Sequence, residues 1–237
     1  MFTKNKNDQK KLIPGFIRLI IYILIGPTLL FISAGTIQWT MAWVYATTSI
    51  VLMVGSRILL FNKYPDLAKE RAGHREVKGV KSWDRVLSAV VGFFGNLAIL
   101  CVAGLDKRFG WSPGISPAAS LLAFFFGILL ANIFGSWALL ENQYFSAVVR
   151  IQEDRSHEVC TSGPYQFIRH PGYAGALLFY LSTPIVLSAL WAFVPAGLTV
   201  IALIIRTHLE DITLQEELEG YTSYVEKTPY RLIPEIW

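Results

Sequence analysis

The stretch PAASLLAFFFGILLANIFGSWALLE, residues 117–141, decides the fold class of this chain, because it carries no charge before its last residue, Glu141. A helix needs about 20 apolar residues to cross the hydrocarbon core of a bilayer. Further stretches of similar character lie at 16–35, 39–61, 84–104, 172–188 and 190–207. The sequence therefore predicts an all-α, polytopic integral membrane bundle of about six transmembrane helices.

The composition supports the same fold class. Of the 237 residues, 53% are hydrophobic and only 16% are charged, whereas a soluble domain carries about a quarter charged residues. The formal net charge is +4, and the basic residues gather between the apolar stretches and form no stripe of alternating basic and aromatic residues. This pattern is typical of topology signals and argues against nucleic-acid binding. Cys101 and Cys160 have no metal-binding spacing, so we expect no metal and no disulfide framework.

The distribution of Lys and Arg predicts the orientation of the bundle. The segment 105–116 carries two basic residues, Lys107 and Arg108, whereas 62–85 carries Lys63, Lys69, Arg71, Arg75, Lys78, Lys81 and Arg85. Because cytoplasmic loops are enriched in Lys and Arg, we expect both termini, the 62–85 loop and the 142–171 loop on the cytoplasmic side. Apolar and acidic residues alternate at helical spacing in 209–219, which predicts an amphipathic helix that continues from the sixth stretch and caps the bundle on that side.

A first polar cluster, GPYQFIRHPGY at residues 163–173, precedes the fifth apolar stretch. Pro171 suits the first turn of a helix, which places His170 near the N-cap. A helix N-terminus is partly positive, and Arg169 beside it would favour a carboxylate or a phosphate. The alternative is that Arg169 anchors the loop at the membrane surface and His170 only caps the helix. Tyr165 and Tyr173 would stack on an aromatic ligand or lie in the interfacial aromatic belt.

A second polar cluster, Arg206-Thr207-His208-Leu209-Glu210-Asp211, closes the sixth stretch. Arg206 and Glu210 are four residues apart and share a helix face. An ionisable residue at this depth is costly unless it is paired or functional. Either the two form a helix-surface pair with a snorkelling arginine, or they contact a ligand, in which case Glu210 and Asp211 would accept hydrogen bonds from ribose hydroxyls or an amine.

Several motifs occur in a fixed order over the last third of the chain. They are TSGPY at 161–165, RHPGY at 169–173, Arg206-x-x-x-Glu210-Asp211, Gly220-Tyr221-x-x-Tyr224 and YRLIP at 230–234. In this order and spacing the chain resembles the isoprenylcysteine carboxyl methyltransferase family, to which phospholipid N-methyltransferases are related. The segments 103–111 and 154–157 resemble its bacterial-type branch. The family usually has two adjacent glutamates where this chain has Glu210-Asp211.

The resemblance implies a single membrane domain, 1–237, in which 1–150 provides N-terminal spans and 151–237 the methyltransferase-like catalytic region. It implies S-adenosylmethionine as methyl donor, with Arg206 and Glu210 as catalytic residues. It also implies a lipid-linked or isoprenoid-type acceptor that enters from the bilayer, and a site that faces the cytoplasm. The implied donor-binding residues are Gly163, Pro164, Tyr165, Arg169, His170, Pro171, Tyr173, Glu210 and Asp211.

Two other classes of protein remain open at this point. One is a membrane reductase of the sterol or steroid reductase type, which uses NADPH. The 2′-phosphate of NADPH would call for basic residues in the tail, whereas 209–219 is mainly acidic. The other is a non-enzymatic membrane protein such as a transporter subunit, against which stands the gathering of polar residues at one face. Binding of S-adenosylmethionine or NADPH would separate the three.

Overall fold

The computed structural model describes residues 20–21, 23–72 and 78–237, and all regular structure in those ranges is helical. The helices are α1 (Ile23–Ala34), α2 (Thr40–Lys63), α3 (Pro65–Ala72), α4 (Asp84–Phe109), α5 (Pro117–Glu141), α6 (Pro171–Val186), α7 (Phe193–Glu217) and α8 (Tyr221–Lys227). The prediction of an all-α membrane bundle is confirmed. The first predicted stretch, 16–35, lies partly outside the described residues.

Four helical segments are long and apolar enough to cross a membrane: α2, α4, α5 and the segment Leu190–Glu217 that contains α7. Their outward faces carry large apolar side chains such as Leu198, which is 64% exposed. The sixth predicted stretch continues to Glu217 in α7, which confirms that the amphipathic segment extends the same helix. The fifth stretch forms α6, whose 16 residues span about 24 Å at 1.5 Å per residue. This length is shorter than the roughly 30 Å hydrocarbon core.

Two of the long helices contain a segment of π-helix, at Val90–Phe94 in α4 and at Phe124–Leu130 in α5. A π-turn displaces backbone carbonyls from the regular helical ladder, and such groups need partners in a low-dielectric medium. The Tyr180 hydroxyl donates to the Val91 carbonyl, and the Asn132 amide donates to the Ile128 carbonyl at 2.7 Å. The irregular turns are therefore satisfied by side chains inside the bundle.

A close helix crossing fixes α6 against α5. Gly175 of α6 lies so near α5 that an added Cβ would stand 2.8 Å from the Ala131 carbonyl oxygen. Small residues allow membrane helices to approach in this way and to pack over a wide surface. This contact positions the first turns of α6, where the RHPGY motif ends.

The end of the bundle opposite that motif is closed by Asp106, near the C-terminus of α4. Its carboxylate is 2% exposed and accepts from the Ser112 N–H at 2.8 Å and the Trp191 N–H at 3.1 Å. Trp191 belongs to the turn Leu190–Ala192 between α6 and α7. Asp106 therefore satisfies backbone donors of the turns at this end.

Candidate active site

The loop before α6 is anchored on the end of α5. Gly163 begins a short 3₁₀ turn, Gly163–Gln166, with a positive φ of 56°, a conformation that glycine adopts at little cost. An added Cβ at this position would stand 2.8 Å from Cγ of Glu141. Pro164 and Tyr165 are buried in this turn, and the Tyr165 hydroxyl donates to the Ala138 carbonyl at 3.3 Å. Burial raises the pKa of Tyr165 well above its ordinary value, so this phenol stays protonated.

Asp211 is the centre of the first group of charges, which we call the Asp211 cluster: Arg169, His170, Asp211, Gln215, Tyr221 and Arg231. The carboxylate has no exposed surface. Arg169 donates to both of its oxygens, at 2.7 and 2.9 Å, and Nε of Arg231 donates at 2.8 Å. Three longer contacts come from His170 at 3.2 Å, Tyr221 at 3.1 Å and Gln215 at 3.0 Å. Each carboxylate oxygen therefore faces three hydrogen-bonding groups.

The segment after α8 completes the Asp211 cluster. The backbone N–H groups of Arg169 and His170 donate to the carbonyls of Tyr230 and Arg231, both at 2.9 Å. Arg169 also donates through Nη1 to the Thr228 carbonyl at 2.8 Å. Burial, and after it the Asp211 carboxylate, raises the pKa of Tyr221 well above its ordinary value, which keeps this phenol a hydrogen-bond donor. The YRLIP motif pointed to Arg231, but nothing in the sequence indicated its contact with Asp211.

Tyr173 lies between the Asp211 cluster and the side chains of Arg206 and Glu210. Pro171 occupies the first turn of α6, and no side chain within the described ranges caps that helix start. Within the first turn of α6, the Tyr173 hydroxyl donates to Glu210, and its ring stacks on the His170 ring with centroids 5.7 Å apart. The Arg206 guanidinium lies 5.2 Å from the centroid of the same ring, within the range of a cation–π contact. The RHPGY motif therefore contacts Arg206, Glu210 and Asp211 alike.

Arg206 has a partner that the sequence did not indicate. Its Nε donates to Oδ1 of Asp84 at 2.6 Å, and its Nη2 approaches Oδ2 at 3.3 Å. Asp84 is the first residue of α4, is fully buried, and also accepts from the Val149 N–H at 2.7 Å. Among the described residues, no ion pair joins Arg206 to Glu210. The available signal was an ionisable residue at the edge of the apolar stretch 84–104.

The two groups of charged side chains carry net formal charges of opposite sign. In the Asp211 cluster, the two guanidinium groups of Arg169 and Arg231 surround one carboxylate. In the second group, which we call the Arg206 cluster (Asp84, Tyr173, Arg206 and Glu210), one guanidinium lies among two carboxylates. Counted by formal side-chain charges, the first cluster carries an excess positive charge and the second an excess negative charge. The arrangement can therefore hold an anionic and a cationic group of one ligand close together.

Fold and site together define a polytopic helical membrane protein with a buried charged site at one end of the bundle. Residues 121–216 match a sequence model of the isoprenylcysteine carboxyl methyltransferase (ICMT) family. This segment contains the RHPGY motif and the Arg206–Asp211 segment, and the match confirms the resemblance to that family.

Three curated plant proteins are similar over short segments. Protein-S-isoprenylcysteine O-methyltransferase B of Arabidopsis thaliana is 31% identical over 61 residues, which is 25% of this chain and 31% of the relative. A probable protein-S-isoprenylcysteine O-methyltransferase from each of Oryza sativa subsp. indica and subsp. japonica is 40% identical over 43 residues, 18% of this chain and 22% of the relative. The chain thus matches less than a third of the length of these relatives.

Proposed function

We propose that this protein is a membrane-embedded methyltransferase that transfers a methyl group from S-adenosylmethionine to a lipid-linked or isoprenoid-type acceptor. One observation carries the proposal. The two motifs of the family segment, more than 30 residues apart in sequence, are joined through the Arg169–Asp211 ion pair and the Tyr173–Glu210 hydrogen bond. They form one buried polar site next to apolar helices.

The charges of the two clusters fit the donor. S-adenosylmethionine carries a carboxylate, an ammonium group and a sulfonium. The excess positive charge of the Asp211 cluster, beside the start of α6, favours the carboxylate. The excess negative charge of the Arg206 cluster favours the cationic groups. The donor-binding residues proposed here are therefore His170, Tyr173 and Glu210, supported by Arg169 and Asp211.

Direct methyl transfer requires no covalent bond between the substrates and a side chain of the protein. When bound, the donor supplies a methyl group on a positively charged sulfur, and the displacement at that carbon is in line. The side chains must align the acceptor with the methyl group and exclude water. Arg206, with 6% of its surface exposed, can orient an acceptor oxygen by hydrogen bonding. Tyr173, which contacts the Arg206 guanidinium through its ring, and Glu210, which accepts from the Tyr173 hydroxyl, complete this side of the site, and no metal is needed for this reaction.

The proposed site lies on the cytoplasmic side. Lys81 pairs with Glu217 near the end of α7, and Arg71 donates to the Phe145 carbonyl at 2.7 Å. These contacts bring the basic 62–85 segment to the same end of the bundle as the polar site. An excess of Lys and Arg is typical of cytoplasmic loops. An acceptor anchored in the cytoplasmic leaflet would reach Arg206 from the side.

Calorimetry on the purified protein tests the proposed function. We expect S-adenosylhomocysteine to bind, NADPH not to bind, and His170→Ala to weaken binding at least about tenfold, because one interaction worth about 1.4 kcal/mol changes affinity by that factor. His208→Ala is the matched control, since His208 lies on α7 but is exposed. Transfer of radiolabelled methyl from S-adenosylmethionine is then measured with a farnesylated cysteine and with extracted lipids. Tight binding of NADPH without S-adenosylhomocysteine binding would overturn the proposal.

A further inference from the structure

The Arg206 guanidinium is held from one side by a residue distant in sequence. Asp84 precedes Arg206 by 122 residues and contacts it through two hydrogen bonds. Asp84 lies outside the segment 121–216 that matches the family model. Its carboxylate is fully buried and is itself fixed by the Val149 N–H. The position of the guanidinium therefore depends on the start of α4 as well as on α7.

The hydrogen-bond capacity of Arg206 is only partly used. A guanidinium has five N–H donors in a fixed planar arrangement. Nε donates one to Asp84, and Nη2 donates to Asp84 and, at 3.0 Å, to the Ala147 carbonyl. Within the described part of the chain, no group accepts from Nη1. The two remaining N–H donors therefore both sit on Nη1, which takes no part in the contact with Asp84.

We infer that Asp84 is a positioning residue for methyl transfer: it holds Arg206 in one orientation, so that Nη1 is left to bind an oxygen atom of the acceptor. This inference rests on the proposed function. A guanidinium donates hydrogen bonds and accepts none, so the acceptor group that it contacts is a carboxylate, carbonyl or phosphate oxygen.

The Arg206 cluster also indicates what happens without Asp84. Glu210 lies four residues after Arg206, at the spacing where side chains on a helix meet. With Asp84 neutralised, Glu210 is the carboxylate that remains in the Arg206 cluster, and both residues contact Tyr173. An Arg206–Glu210 pair would use the donors meant for the acceptor and would draw Glu210 away from the Tyr173 hydroxyl. Asp84 thus keeps apart two side chains whose helix spacing favours pairing.

Methyl transfer and donor binding are measured for Asp84→Asn, which keeps the shape and removes the charge. We expect kcat/KM for the acceptor to fall about 10- to 100-fold, because a displacement of about 1 Å costs a factor of this size. The dissociation constant for S-adenosylhomocysteine should stay within about threefold. Asp106→Asn is the matched control, since it removes a buried carboxylate from the opposite end of the same helix. It should lower the unfolding temperature but leave kcat/KM within about threefold.

A double-mutant cycle separates positioning from general damage. If Asp84 acts through Arg206, Asp84→Asn should cost little further activity in an Arg206→Ala background. Asp84→Glu, which keeps the charge but shifts the carboxylate by one methylene, gives the same test should Asp84→Asn not fold. Three results would overturn the positioning role: wild-type kcat/KM in both Asp84 variants, an equal loss in Asp106→Asn, or losses for Asp84→Asn and Arg206→Ala that multiply in the double mutant. In each case, methyl transfer by the wild-type protein would still support the proposed function. No methyl transfer by the wild type would overturn both.

Discussion

Replacing Asp211 by Asn tests how much the Asp211 cluster contributes to the stability of the fold. The change keeps the size of the side chain but replaces one oxygen by an NH₂ group. In one orientation of the amide, the NH₂ group replaces Oδ2 and faces donors of Arg169 and Arg231. In the other orientation, it replaces Oδ1 and faces Nε of Arg169. Breaking a buried ion pair from one side costs about 3–5 kcal/mol, because an uncompensated charge remains. For a chain of this size, 1 kcal/mol shifts the unfolding temperature by about 2–4 °C, so we expect a decrease of about 10 °C.

The assay is thermal unfolding of the purified protein in detergent, followed by tryptophan fluorescence. Glu217→Gln is the control, since Glu217 forms a partly exposed pair with Lys81, and such pairs contribute at most about 1 kcal/mol. A decrease below about 2 °C for Asp211→Asn, or an equal decrease for Glu217→Gln, would refute the assignment of Asp211 as the structural centre of this cluster.

Two further predictions concern pH and topology. Burial, and after it the nearby Arg150 and Arg155, lowers the pKa of His157 from 6.5 to about 4. As the pH drops, His157 is therefore protonated in the unfolded chain before it is protonated in the folded protein. The free energy of unfolding should thus fall between about pH 6.5 and pH 4. Unfolding temperatures at pH 7 and pH 5 should differ less in His157→Gln than in the wild type, and an unchanged difference would contradict this. In a variant without native cysteines, Arg108→Cys should react with an impermeant thiol reagent from the non-cytoplasmic side and Lys78→Cys from the cytoplasmic side; the reverse pattern would invert the proposed topology.

The fold was largely predictable because hydrophobic length is a local property of the sequence. The stretch 117–141 coincides with α5, and the stretch 84–104 begins where α4 begins. The continuation of the sixth helix by polar residues was also predictable, from the helical spacing of apolar and acidic residues in 209–219. α7 extends to Glu217, because its amphipathic end covers the polar cluster at the bundle surface. The shortness of α6 follows from the turn at Leu190–Ala192 and from Pro184 within the helix.

The sequence indicated the two polar segments of the candidate site, but neither Asp84 nor the pairing of the charged side chains. Charge bias and motif order placed residues 163–173 and 206–211 at one face, and the structure brings Arg169, His170 and Tyr173 against Glu210 and Asp211. Local spacing favoured an Arg206–Glu210 pair, whereas the structure gives Arg206 a partner on α4. A contact across 122 residues leaves no periodic trace in a single sequence. Asp84 at the start of a helix also has an ordinary local explanation, because an acidic residue is favourable there.

The long separation of Asp84 and Arg206 has a consequence for biosynthesis. Chains grow from the N-terminus at roughly 5–20 residues per second, so the 122 residues between the two side chains take on the order of ten seconds to make. During this time the Asp84 carboxylate has no guanidinium beside it, and water at the membrane surface must solvate it. The helix that carries Arg206 is also the last of the long helices to leave the ribosome. We therefore expect the reaction centre to form only when insertion of the bundle is nearly complete, and a chain arrested before residue 206 to keep Asp84 accessible to water-soluble carboxyl reagents.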